Sequence, residues 1–184
     1  MVWRSCLSVL AMLALVAPAG AGPSVNAGTH YLQPDLAGQT ALIYVTGGQA
    51  VQGLEFCAQI EDATFGPLFE DGDILTGTIF AANNLGLYEG SYVDPRRMYL
   101  GVVTQTGTVA ADGLLATLTI DTTGLIAGTY SLSLTNSLEG PTNFAGISAD
   151  LLDGWIVIVP EPAVFPILCV FATAWLGRRR GARR

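Results

Sequence analysis

The chain of 184 residues contains no lysine, a single histidine and only three cysteines. Each shortage excludes a class of function. Residues 22–160 hold 14 carboxylates against two basic side chains, Arg96 and Arg97, which leaves a charge of −12 on that stretch. Nucleic acid binding needs basic groups to neutralise phosphates, so no nucleic acid partner is expected. His30 is the only histidine, and neither G-x-S-x-G nor H-E-x-x-H occurs. A Ser-His-Asp triad would depend on His30 alone, and a transition-metal cluster lacks ligands. A solvated or turn-capping role suits this histidine, and the chain is not expected to be an enzyme. A glycosidase needs only two carboxylates facing a groove, which spacing alone does not exclude.

Cysteine is equally sparse. Cys6 and Cys169 lie near the two ends, so Cys57 stands alone between them and no intrachain disulfide is expected there. In Leu54-Glu-Phe-Cys-Ala-Gln-Ile60 either face can be the buried one. Cys57 then reads as a small buried hydrophobe, with a reactive thiol as the alternative.

The first 21 residues read as a secretory leader. Arg4 precedes an apolar segment, Leu7 to Val16, and Ala17-Pro-Ala-Gly-Ala-Gly22 offers small residues for cleavage after Ala19 or Ala21. Residues 159–184 have an address-like order as well. Val159-Pro-Glu-Pro162 is followed by the uncharged run Ala163 to Gly177, then by five arginines within residues 178–184. As a helix the run would span roughly 22 Å, short of the roughly 30 Å hydrocarbon core, and thinning or snorkelling arginines would have to close the gap. Trp175 suits an interface, and the arginine cluster favours the cytoplasmic side, with everything earlier outside. Pro160 and Pro162 hold Glu161 in an extended peptide.

This tail resembles the PEP-CTERM sorting signal. The resemblance implies recognition of Pro160, Glu161 and Pro162 by an exosortase-like membrane enzyme, with Arg178, Arg179 and Arg180 as stop and orientation signals. It also implies transient anchoring in the inner membrane before delivery to the cell surface or an extracellular matrix. A plain membrane anchor is the simpler alternative.

Residues 22–158 form one domain's worth of chain, long enough for a core. Alternating runs predict strands over Thr40–Thr46, Val51–Ile60, Met98–Gln105, Leu114–Asp121, Thr129–Leu134 and Trp155–Val159. Glycine turns separate them at 47–48, 112–113, 127–128 and 153–154. Residues 69–80 are expected to hold a short helical turn and residues 83–95 a long loop. Short strands without alternating helices indicate an all-β, antiparallel β-sandwich, flanked by an N-terminal signal helix and a short C-terminal hydrophobic helix. The strands beginning at Gly38 and Val51, the later Asp112-Gly-Leu-Leu-Ala-Thr-Leu-Thr-Ile120 and Ala127-Gly-Thr-Tyr-Ser-Leu-Ser-Leu134, and the closing Leu152-Asp-Gly-Trp-Ile-Val-Ile158 resemble a cohesin-type, carbohydrate-binding-module-like jelly roll. That resemblance implies a module that binds carbohydrate or protein, such as an extracellular polysaccharide.

Two residue groups are candidate sites. Glu70, Asp71 and Asp73 surround Gly72 in what reads as an acidic turn, which can offer oxygens to Ca²⁺ but lacks the D-x-D-x-D-G-x₅-E spacing. A solvated turn is the plainer reading, and no other cofactor is implied. Tyr88, Tyr92, Tyr99 and Trp155 can stack on sugar rings if they line one face, and are otherwise packing residues.

Overall fold

The structure, a computed structural model, describes residues 22–160. The leader and the C-terminal segment from Glu161 onward, with the two helices expected there, lie outside the described residues. Within them the chain forms β1 (Ser24–Asn26), β2 (Thr29–Leu32), β3 (Gln39–Thr46), β4 (Ala50–Val51), β5 (Gly53–Ile60), β6 (Leu68–Asp73), β7 (Tyr92–Asp94) and β8 (Arg97–Val103). The second half adds β9 (Val109–Ala110), β10 (Gly113–Asp121), β11 (Gly128–Ser133), β12 (Thr135–Asn136), β13 (Gly140–Pro141), β14 (Asn143–Phe144), β15 (Asp150–Leu152) and β16 (Gly154–Ile158).

Alternation builds two sheets with a core between them. In β3, Ala41, Ile43 and Val45 are fully buried, whereas Thr40, Leu42, Tyr44 and Thr46 face out. One sheet runs β15-β1-β3-β10-β6. The other runs β2-β16-β11-β5-β8-β7, with β14 continuing the β11 side of β5. Phe56, Ile60, Met98, Leu100, Leu132 and Ile156 descend from the second sheet onto Ile43, Leu118 and Ile120 of the first. Each such side chain contributes about 1.5–3 kcal/mol through loss of water contact.

Two pairs depart from a purely antiparallel sandwich. β1 runs parallel to β15 and β2 parallel to β16. Ser24 faces Asp150 and Leu32 faces Ile158, so one register offset of 126 residues holds along both pairs. The terminal segments therefore cross from sheet to sheet together. Gly28 turns the first with a φ of 72°, and its carbonyl accepts the Trp155 N–H at 2.8 Å. Gly154 opens β16 beside it, so close that a Cβ there would overlap the Gly28 carbonyl oxygen. Expecting only antiparallel strands fails here because a parallel closure leaves no local mark in sequence.

The acidic stretch 70–73 lies in strand β6, not in a turn, and no helix forms between residues 69 and 80. Gly72 faces inward, where a Cβ would come within 2.7 Å of the Met98 methyl and 2.9 Å of Leu100. A register shift against β10 between Thr119 and Ile120 accommodates the extra residue. Similarly, the expected loop 83–95 ends in β7, whose Tyr92 pairs with Tyr99.

Candidate functional site: a groove on the outer face of the larger sheet

Alternation places Gly53, Glu55, Cys57 and Gln59 of β5 on the outer face, paired with Val103, Gly101, Tyr99 and Arg97 of β8. Two excursions rise over this face. The loop 83–91 runs along the β8 edge, where the Tyr88 N–H donates to the Gly101 carbonyl at 2.7 Å and the Leu85 N–H to Val103 at 3.1 Å. Tyr88 folds over Gly101, where an added Cβ would come within 2.9 Å of the Tyr88 Cβ. On the opposite side, β14 and residues 145–146 flank Gly53, whose N-terminal half of β5 stays open.

Between these walls lies a cavity of about 500 Å³ floored by Gly53, Glu55 and Gly101, with Tyr88, Tyr99 and Asn143 at its sides. Glycines in mid-strand make the floor flat and allow the close approach of the walls. Sequence reasoning missed the groove, although Gly53 and Gly101 inside strand patterns are the signal that could have found it.

The hairpin β12–β13 crosses the same face farther along β5. Asn136 donates through its side-chain amide to the Tyr92 hydroxyl at 2.8 Å and to the Met98 carbonyl at 3.2 Å. It returns through Thr142, whose hydroxyl accepts the Cys57 N–H at 2.8 Å and donates to the Cys57 carbonyl at 2.7 Å. Neither β11 nor β14 reaches residues 56–58 of β5, so this one side chain replaces a strand partner there. Cys57 is thus buried, but on the outer face beneath the hairpin and not in the inter-sheet core. Burial pushes its thiol up to about 12, and Glu55 and Glu139 add to the shift. The Tyr99 hydroxyl is also raised, first by burial and then by Glu55. The groove side of the face is therefore acidic.

All four aromatic candidates lie on this outer face, in two groups. Tyr92 packs against Tyr99 with ring centroids 6.2 Å apart, and Tyr88 stands over Gly101. Trp155 is separated from them by β11 and β5 and lies between Thr29 and Ser131, half exposed. Tyr31, two positions along the adjacent strand from Thr29, is exposed on the same side.

The carboxylates of β6 go to separate backbone partners. Glu70 accepts the Gly38 N–H at 2.8 Å, and Asp71 accepts that of Gly72. Asp73 accepts those of Leu75 and Thr76. Burial alone would raise the Asp73 pKa, but these donors outweigh it and hold the carboxyl below its ordinary range. Among the described residues no three His, Cys, Asp or Glu side chains converge as a metal site would require. His30 sits in β2 and donates from Nε2 to the Ala27 carbonyl at 2.6 Å. Arg97 lies 4.0 Å from Asp94, whereas Arg96 reaches the Gly66 carbonyl at 3.3 Å.

No protein-family model matches the chain, and no curated protein matches it. Solved structures do resemble it. The cohesin of a Clostridium thermocellum type I cohesin–dockerin complex, Coh-OlpA, superposes with a TM-score of 0.55 at 10% identity, covering 75% of this chain and 99% of that one. A non-cellulosomal cohesin from the archaeon Archaeoglobus fulgidus gives 0.52 at 15%, covering 78% and 96%. The sixth cohesin of scaffoldin B from Acetivibrio cellulolyticus, solved with a dockerin, gives 0.51 at 16%, covering 76% and 99%. Residues 22–160 therefore have a cohesin-like β-sandwich fold.

Proposed function

We propose that this chain is an exported, non-enzymatic binding module whose groove takes a segment of a partner protein. The observation that carries this reading is the set of uncommitted polar groups around an open, glycine-floored cavity. The Glu55 carboxylate and the Tyr88 and Tyr99 hydroxyls have no hydrogen-bond partner among the described residues. Aromatic walls with a few oriented polar groups are the usual makeup of a binding site. Two of the similar cohesins were solved in complex with dockerins, which supports a protein as the ligand class.

In this reading the leader directs export and the tail directs sorting. An exosortase-like enzyme of the inner membrane recognises Pro160, Glu161 and Pro162. Arg178, Arg179 and Arg180 hold the C-terminal end inside, and the processed module reaches the cell surface or an extracellular matrix. Replacing Glu161 with Ala is expected to trap a full-length membrane form in the native host, seen by intact mass. Unchanged processing would remove the motif's role.

The groove is tested with a photo-crosslinking residue at Val103 in the full chain, with Thr119 on the other sheet as control. A protein adduct specific to position 103 is expected. Equal adducts at both sites, or none, would overturn the reading. A second reading, carbohydrate binding, rests on Trp155, outward and half exposed between two hydroxyl side chains. It requires that Trp155→Ala lower retention on the host's matrix polysaccharide.

A further inference from the structure

The strand that leads into the tail fixes which end of the sandwich faces it. β16 finishes with Ile158 between Leu32 and Gly128, and the Val159 N–H donates to the Leu32 carbonyl at 2.9 Å. β2 and β5 run in the same direction as β16, and β11 starts opposite Ile158. The chain leaving β5 continues back along β11, with the Glu61 N–H donating to the Ser131 carbonyl at 3.1 Å. Three loops therefore share this end: residues 33–38 after β2, 61–67 after β5 and 122–127 before β11. They are tied together. The Thr122 N–H donates to the Leu36 carbonyl at 3.0 Å, the Gly124 N–H to Asp35 Oδ1 at 2.9 Å, and Phe65 packs on Tyr130 with ring centroids 5.8 Å apart.

Each of these loops presents a large apolar side chain to solvent. Ile126 is 82% exposed, Phe65 61% and Leu36 44%, and Tyr31 at the end of β2 is 71% exposed. Surface loops ordinarily carry polar tips, and an apolar cluster of this kind marks a contact surface. Asp35, Glu61 and Asp62 lie in the same loops, with Arg96 as the neighbouring cation through its bond to Gly66. Hydrogen bonds from Thr64 hold the Asp62 carboxyl below its ordinary range, so it stays ionised. Such an acidic surround disfavours anionic surfaces and leaves apolar contact as the attraction.

The length of chain beyond Val159 identifies what covers this end. Only Pro160, Glu161 and Pro162 separate Val159 from the uncharged run beginning at Ala163. Three extended residues reach about 10 Å. If the run lies in a bilayer, this end of the domain cannot stand farther than that from its surface. We propose that, before the tail is processed, Tyr31, Leu36, Phe65 and Ile126 dock this end onto an uncharged, zwitterionic lipid surface. The docking holds Pro160–Pro162 at headgroup level for a membrane enzyme and turns the groove, at the opposite end of β5 and β8, away from the membrane. This inference rests on the membrane reading of the tail.

The test uses the full chain with Cys6→Ser and Cys169→Ser, reconstituted in phosphatidylcholine vesicles. Cys57 is buried and stays unlabelled. An environment-sensitive fluorophore is placed at Thr123→Cys in the apolar end, or at Thr106→Cys at the opposite end. Brominated phosphatidylcholine should quench the first label at least about threefold more than the second, because docked groups sit ~5–10 Å into the headgroup boundary. Ile126→Ser with Phe65→Ser should abolish the difference. Equal quenching of the two labels in a chain that resists carbonate washing would overturn the docking and leave the tail reading intact. Release of the chain by carbonate would remove both. Quenching of the Thr123 label that persists in the Ile126→Ser and Phe65→Ser variant would also overturn the proposal, because the apolar side chains would then not be the docking groups.

Discussion

Thr142→Val tests whether one hydroxyl can stand in for a strand. Valine keeps the shape of the side chain and deletes the oxygen that bonds the Cys57 N–H at 2.8 Å and the Cys57 carbonyl at 2.7 Å. Both residues are 1% exposed, so water has no open route to the orphaned groups. Leaving a buried donor or acceptor unsatisfied costs about 1–3 kcal/mol, so the two together amount to about 2–6 kcal/mol. That is a large part of a total stability of ~5–15 kcal/mol. With a slope of ~1–3 kcal/mol per molar urea, the unfolding midpoint should fall by about 2 M. The assay is urea unfolding of the full chain in mild detergent, with Thr142→Ser as control. Serine retains the hydroxyl and should lie much nearer to wild type. A valine variant within ~0.5 kcal/mol of the serine variant would refute the argument, since surface-like substitutions give changes of that size.

Gly154→Ala forces a methyl group into the Gly28 carbonyl and within 2.9 Å of Ala27, at the corner where both terminal segments change sheets. Overpacking of ~1–3 kcal/mol plus a weakened Trp155–Gly28 hydrogen bond of ~1 kcal/mol predicts a loss of about 2–4 kcal/mol in the same assay. Cys57 predicts an alkaline effect. Its folded thiol is raised to about 12 from 9.0, so below pH 9 it is neutral in both states and the stability is intact. As pH rises from 9 towards 12 the unfolded chain ionises first, and stability falls. Cys57→Ala should flatten that decline in urea midpoints measured from neutral pH to about pH 10.5; equal declines in the two proteins would contradict the assignment.

Much of this architecture is legible in the sequence because its signals are local. The alternation of Thr40–Thr46, Leu114–Asp121 and Thr129–Leu134 marks strands with one buried face, and the structure places β3, β10 and β11 there. The lack of lysine and the single histidine bound the chemistry without reference to the fold. Where side chains satisfy distant partners, sequence reading falters. Glu70-Asp-Gly-Asp73 resembles a turn, yet Gly72 is small because Met98 and Leu100 press on it from the other sheet. Cys57 is buried as its sequence context suggests, yet what covers it, Thr142, lies 85 residues later and could not be read locally.

What the sequence by itself determined is the alternation, the charge and the apolar runs that flank the domain, since periodicity and composition are properties of neighbouring residues. Tertiary structure alone decided that β1 with β15 and β2 with β16 close the two sheets as parallel pairs in one register. It also decided that Gly53 and Gly101 become the floor of a groove and that Leu36, Phe65 and Ile126 share the end from which the tail departs. Such features depend on which distant segments meet, and segments 30 to 130 residues apart leave no common period to read.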